Sequence, residues 1–259
     1  MDWIIGGTKD SRDFIESILK QNKNNIIVTT ATPYGKKLLE EYPIDVIVKP
    51  MDIDEMREFI KKYSIKRIFD FSHPYAQEVS KNAMDISKGV NILYYRFERK
   101  NLENSFSDNK NIFYFTDIFE ITDFISNLNK NILVTLGSNT IEKFKNLPNL
   151  KNIYFRILPT TLALGKLEEC GIMAKNIIAL QGPFSYDFNL AILKNYGIEY
   201  LITKESGTTG GELEKIKSAL DIGAKVLILR RPAIQYPWVS SNIEAVSYTH
   251  LTLPTIRLV

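Results

Sequence analysis

Cysteine is almost missing from this chain: Cys170 is the single one in 259 residues. That excludes an internal disulfide and any metal site built from several thiolates, and the lone residue reads as a small buried hydrophobe after a helix. Charge of one sign is missing too. Lysine and arginine number 33 against 30 acidic residues, a formal net charge of +3, and no basic tract is interleaved with aromatics, so no nucleic-acid partner is expected. The slight basic excess suits a small acidic ligand. A basic-then-apolar leader is lacking, as is any apolar run near 18 residues long, so the expectation is a cytoplasmic protein with no membrane partner. No Ser-His-Asp order, H-E-x-x-H or G-x-x-x-x-G-K-[ST] occurs, which leaves hydrolase and NTPase readings without a motif, and no metal is expected. No coiled-coil or apolar surface stripe is legible, and the expectation is a monomer.

What the chain does have begins at its first residues. Trp3-Ile4-Ile5 has strand character, Gly6-Gly7 breaks it, and Thr8 precedes a helical pattern of Phe14, Ile15, Ile18 and Leu19. Paired glycines let the backbone turn sharply, and the following helix points its unpaired N–H groups and positive dipole end at the turn. An anion is the natural occupant, although the full G-x-G-x-x-G fingerprint is incomplete and an ordinary βα turn fits equally. A second stretch repeats the plan: Leu201-Ile202-Thr203-Lys204 leads into Glu205-Ser206-Gly207-Thr208-Thr209-Gly210-Gly211 and then a helix. Two such loops, one in each half, suggest two sheets facing one cleft.

Strands alternate with helical patterns along the whole chain, which implies parallel pairing with helices on both faces. The expected fold class is α/β, with two Rossmann-like, doubly wound parallel-sheet domains. The first is expected over residues 1–128, finishing with a strand at 111–115, and the second over 129–245, with the boundary in the polar run 127–130. Residues 246–259 lack the Ile/Asn/Lys bias of the rest and resemble the translation of a sequencing-library adapter joined to a truncated gene. They are set aside as a non-native tail outside the fold.

In a doubly wound sheet, ligands bind beyond the carboxyl ends of the strands. The loops there carry Gly6 to Thr8, Thr29 to Thr32, Ser72-His73-Pro74-Tyr75, Arg96 to Arg99, Gly137-Ser138-Asn139, Gln181 to Ser185, Thr203 to Gly211 and Arg230-Arg231-Pro232. At the end of the second strand Thr29, Thr30 and Thr32 stand where a carboxylate would hold the ribose of NAD, so NADP is favoured; a threonine cap on the helix at Pro33 explains them as well. His73 could donate a proton, bind a ligand carboxylate or tether its loop. Lys204 could bind phosphate or substrate carboxylate and Glu205 could order the loop, or the two form a surface ion pair. Arg96, Arg99, Arg230 and Arg231 end strands, and guanidinium forks suit carboxylates bidentately.

Taken together, the motifs resemble the precorrin-6A reductase family of cobalamin biosynthesis, including its cobalt-precorrin-6A members. They are Ile5-Gly6-Gly7-Thr8 with Arg12, Ser72 to Ala76, Arg96-Phe97-Glu98-Arg99, Arg156-Ile157-Leu158-Pro159, Gln181 to Ser185, Thr203 to Gly207 with Gly210-Gly211, and Arg231-Pro232. The sequence departs at Asp10, Ser11, Ser72, Glu205 and Leu102, where Glu, Ala, Thr, Asp and Trp are usual. The resemblance implies an enzyme that reduces one double bond of a contracted tetrapyrrole polycarboxylate with NADPH. It puts the cofactor on Gly6, Gly7, Thr8, Arg12, Thr29, Thr30, Gly137, Ser138, Thr208 and Gly210. Substrate falls to Tyr75, Arg96, Arg99, Ser185, Lys204, Ser206 and Arg231, with His73 and Lys204 as catalytic candidates. A tetrapyrrole methyltransferase using S-adenosylmethionine and a non-catalytic two-domain receptor for an acidic ligand are the competing readings.

Overall fold

A computed structural model of the chain describes residues 1–22, 25–100, 102, 106, 109–207 and 210–251, with side chains left aside from 249 on. The elements run β1 (Asp2–Ile5), α1 (Lys9–Leu19), β2 (Ile26–Thr30), α2 (Pro33–Lys37), β3 (Asp45–Val48), α3 (Ile53–Lys62), β4 (Arg67–Asp70), α4 (Gln77–Gly89) and β5 (Leu93–Phe97). Then come β6 (Ile112–Phe115), α5 (Ile118–Ile125), β7 (Ile132–Val134), β8 (Ile153–Ile157), α6 (Thr161–Glu169), β9 (Ile177–Ala179) and α7 (Tyr186–Asn195). The chain ends with β10 (Tyr200–Lys204), α8 (Glu212–Asp221), β11 (Lys225–Leu229), β12 (Val239–Ser240) and α9 (Ile243–Leu251).

Two six-stranded sheets result, ordered β12-β5-β4-β1-β2-β3 and β6-β11-β10-β7-β8-β9, and every pairing in them is parallel. Both are doubly wound, the strand order reversing between β1 and β4 in the first sheet and between β7 and β10 in the second. Strands buried on both faces explain the continuous apolar runs: in β1, Ile4 packs with Phe14, Ile15, Ile18, Val28 and Phe69 under α1, while Trp3 and Ile5 pack with Met56, Phe59, Ile68 and Ala83 under α3 and α4.

The chain divides into Met1–Arg99 with the segment from Pro232 onward, and Lys100–Arg231. This corrects the expected boundary near residue 128. The strand at 112–115 does not close the first sheet; it pairs with β11, Ile112 beside Val226, at the edge of the second. The vacated edge of the first sheet is filled by β12, Val239 beside Arg96. An edge strand's apolar pattern shows that it is a strand but not which sheet it joins, so sequence order misled.

The tail is likewise corrected in part. Residues 246–251 continue α9, Val246 is fully buried with Phe14, Ile15 and Tyr95 in the first unit's core, and Ser247 Oγ lies 3.4 Å from Ser17 Oγ. Burial against α1 holds this helix to the fold whatever its composition. Residues 252–259 lie outside the described residues.

Candidate functional site

The Gly6-Gly7 turn forms as its sequence predicts. Gly7 sits at φ +98°, where an L side chain is strained, and a Cβ on Gly6 would come within 3.0 Å of Val28 Cγ1. Thr8 caps α1: its Oγ1 accepts from the Ser11 N–H at 3.2 Å and donates to the Phe71 carbonyl at 2.9 Å. Ser11 Oγ in turn accepts from the N–H groups of Gly7 and Thr8 at 3.2 and 3.1 Å. The Ser11 hydroxyl therefore engages two of the turn donors that an anion would use.

Around this turn, at the carboxyl ends of β1 to β4, lies a cavity of about 490 Å³, within the range of small-ligand sites. Of the expected site residues it gathers Gly6, Gly7, Thr8, Thr29, Thr30 and His73. Thr29 Oγ1 accepts from Trp3 Nε1 at 2.8 Å, Thr30 Oγ1 donates to the Thr32 carbonyl at 3.1 Å, and Thr32 Oγ1 caps α2 through the Gly35 N–H. Thr32 thus does the capping work of the alternative reading, and Thr29, Thr30 and Thr32 all line the cavity. His73 Nδ1 accepts the Tyr75 N–H at 3.3 Å, which puts the ring's proton on Nε2 and tethers the loop.

Sequence reading missed Lys49, which follows β3 and lines the same cavity. The rule that collected the other strand-end loops covers this one too, since Lys49 directly follows β3. Lys49 Nζ lies 2.8 Å from Glu55, and both groups are well exposed. Asp52 and Glu78 also line the cavity, and Asp52 is engaged as the cap of α3 through the Glu55 N–H at 2.8 Å.

Arg96 departs from its expected role. It is fully buried, its Nη1 donates to Asp70 Oδ1 at 2.9 Å and to the Ser72 carbonyl and hydroxyl, and its Nε donates to Glu98 at 3.0 Å. Asp70 also accepts from the Ser72 N–H at 2.8 Å, from Ser80 Oγ at 2.6 Å and from Tyr94 Oη at 2.5 Å. Burial opposes ionisation of Asp70, but Arg96 and the hydroxyls outweigh it and hold the carboxyl below its usual range. Arg96 therefore fixes the start of the His73 loop from behind and is not presented to a ligand. Arg99 pairs with Asp10 at 2.6 Å, both nearly buried, and so ties the loop after β5 to the first turn of α1. Arg12 and Tyr75 are not among the residues lining the cavity, and Arg12 Nε is buried with no hydrogen-bond partner among the described residues.

The remaining expected residues belong to the second unit. The loop after β10 differs from an open anion turn: the Ser206 and Gly207 N–H groups both donate to Glu212 Oε2, at 2.8 and 2.7 Å, so the chain's own carboxylate fills it. Burial raises the Glu212 carboxyl despite these bonds. Gly210 lies beside it, and Thr208 is outside the described residues. Glu205 accepts the Arg231 N–H at 2.9 Å, ordering that loop as expected of it, and Lys204 Nζ reaches the Leu136 carbonyl at 3.4 Å. Ser185 caps α7, and Gly137, at φ +91°, opens the 3₁₀ turn that begins at Ser138. Among the described residues no group of His, Cys, Asp and Glu could hold a metal, and no helix is long and apolar enough to cross a membrane.

A family model described as Precorrin-6x reductase CbiJ/CobK matches residues 3–250. The cobalt-precorrin-6A reductase of Methanocaldococcus jannaschii is 35% identical over 242 residues, 93% of this chain and 94% of that one. That of Priestia megaterium is 30% identical, covering 94% and 95%. The solved structure of CobK precorrin-6A reductase superposes with a TM-score of 0.74 over 95% of this chain and 93% of its own, at 15% identity, a likeness of fold.

Proposed function

The chain belongs to the precorrin-6x reductase family, and from that premise we propose that it reduces one double bond of the cobalt-precorrin-6A macrocycle with NADPH, giving cobalt-precorrin-6B. The cobalt-bearing substrate is favoured by the relatives that match at 30 to 35% identity over nearly the whole chain, which carry that name. The reading of the cofactor rests on one observation: the first unit's cavity joins a glycine turn to a cation, Lys49 after β3, while the end of β2, where an NAD enzyme would carry a ribose-binding carboxylate, bears Thr29 and Thr30. When bound, NADPH supplies the hydride.

The chain's own residues bind and orient. Gly6 and Gly7 give phosphate a close approach, with Ser11 surrendering the two N–H groups it holds. Lys49 takes the 2′-phosphate, exchanging it for Glu55. His73, tethered through Nδ1, lines the cavity wall as the candidate proton donor.

Calorimetric titration with NADPH, NADH and S-adenosylmethionine separates this reading from a methyltransferase and from a receptor. NADPH is expected to bind tightly, NADH weakly and S-adenosylmethionine not at all. Turnover is then followed anaerobically by loss of NADPH absorbance on adding cobalt-precorrin-6A. Binding of S-adenosylmethionine without NADPH would reverse the assignment.

A further inference from the structure

The second sheet carries a feature that the cofactor cavity does not use. Its strand order reverses between β7 and β10, and Leu201, Leu133 and Tyr154 lie level across β10, β7 and β8 in the core beneath α7 and α8. Two residues further on, the same side of these strands bears Thr203, Thr135 and Arg156. The composition changes there from apolar to polar, at the switch point where doubly wound sheets bind ligands.

Two cations are buried at this level. Arg156 is 8% exposed, donates from Nη1 to Asn189 Oδ1 at 2.8 Å, and lies 4.9 Å beneath the Phe184 ring. Lys215 is 9% exposed and donates to Thr203 Oγ1 at 3.2 Å. Among the described residues neither makes an ion pair; their partners are an amide, a ring and a hydroxyl. The nearby carboxylates are committed elsewhere, Glu212 to the Ser206 and Gly207 N–H groups and Glu205 to that of Arg231. Burial lowers Arg156 to about 10, and burial together with the Arg156 charge lowers Lys215 to about 7. A fold keeps buried cations without counter-charges only against a cost, and functional sites are where such costs are tolerated.

The surface beside them is apolar where a soluble protein is ordinarily polar. Leu158, two residues beyond Arg156, is 47% exposed, and Phe188 at the start of α7 is 42% exposed and stacks on Phe184, the ring over the Arg156 guanidinium. Of the loop 181–185, Phe184 alone is half-buried, as a cover over the guanidinium. Exposed apolar groups next to buried cations match an amphiphilic ring with acidic side chains.

We propose that Arg156 and Lys215 form an anion site in the second unit that takes a carboxylate of the tetrapyrrole, the Phe184 ring giving way to it. The identity of the macrocycle rests on the reductase reading above; the anion site is testable apart from it. Uroporphyrin III, a polycarboxylate macrocycle, serves as the probe, titrated into the wild type, Arg156→Gln and Arg156→Lys, with NADPH titrated separately and thermal unfolding recorded. Arg156→Gln is expected to weaken uroporphyrin binding by about tenfold or more and Arg156→Lys by less, with NADPH affinity unchanged and no loss of thermal stability. Equal uroporphyrin affinity in a folded Arg156→Gln variant overturns the proposal. So does a loss confined to NADPH, which would make the bound group a phosphate, or a lowered Tm, which would make Arg156 a packing element. Failure of the reductase reading shows differently, as a wild type that does not bind NADPH.

Discussion

At Asp70 and Lys215 the fold treats buried charge in opposite ways. Asp70 has a full shell, and Arg96 supplies its counter-charge, so Arg96→Met would strand a buried carboxylate. The expected cost is about 3–5 kcal/mol in chemical denaturation, with Asp70→Asn/Arg96→Met less damaging than the single change. Because the folded-state carboxyl is held down, its stabilisation is complete above about pH 4 and is lost as pH falls below that; the wild type should show this acid limb and the double variant should not. Lys215 is the reverse, a base lowered to about 7. Between pH 7 and its unfolded value near 10.4 the unfolded chain binds more protons, so stability from this group rises with pH. Lys215→Met should therefore exceed the wild type in stability at pH 7 by on the order of 2–4 kcal/mol, and the gain should shrink toward pH 10. A constant difference across that range would mean that burial does not lower Lys215. Lys49 faces solvent and tests the cofactor instead: Lys49→Ala should weaken NADPH about tenfold and leave NADH unchanged.

Among the elements, the two glycine loops that look alike in sequence are filled by different groups of the chain. The first turn offers its N–H groups to the neutral hydroxyl of Ser11, which a phosphate can displace; the second offers them to the Glu212 carboxylate, which it cannot displace cheaply. Glu212→Gln should thus lower stability by about 1–2 kcal/mol and raise amide hydrogen exchange at Ser206 and Gly207, with little effect on NADPH binding. Unaltered exchange at both amides would mean that the loop is held by other contacts. The motif Gly-Thr-Thr-Gly-Gly was legible as a turn, but the occupant of the turn depends on where a side chain from α8 points. That direction is set by packing of α8 on β10 and β11, not by local pattern.

Across the whole molecule, the first sheet takes its sixth strand, β12, from beyond the second unit, while the second sheet is built from the consecutive strands β6 to β11 with β6 at its edge. A fragment of residues 1–99 leaves the edge of β5 unpaired and the core around Phe14 without Val246 and Trp238. It should aggregate, whereas residues 1–99 joined by a flexible linker to 232–251 should unfold cooperatively and bind NADPH as the intact chain does. A soluble, cooperatively folded 1–99 fragment would show β12 and α9 to be dispensable. The sequence by itself determined the α/β class, the parallel pairing, the glycine turn and the family motifs, because apolar periodicity, turn residues and caps are local and act within a few residues. It placed His73 and the threonines at strand ends correctly for the same reason. Only the tertiary structure decided which sheet each edge strand joins, that Arg96 and Arg99 answer carboxylates of the chain, and that Arg156 and Lys215 pair with none among the described residues. Those outcomes depend on which charges are buried next to which, and the partners lie up to 89 residues apart, as Arg99 and Asp10 do.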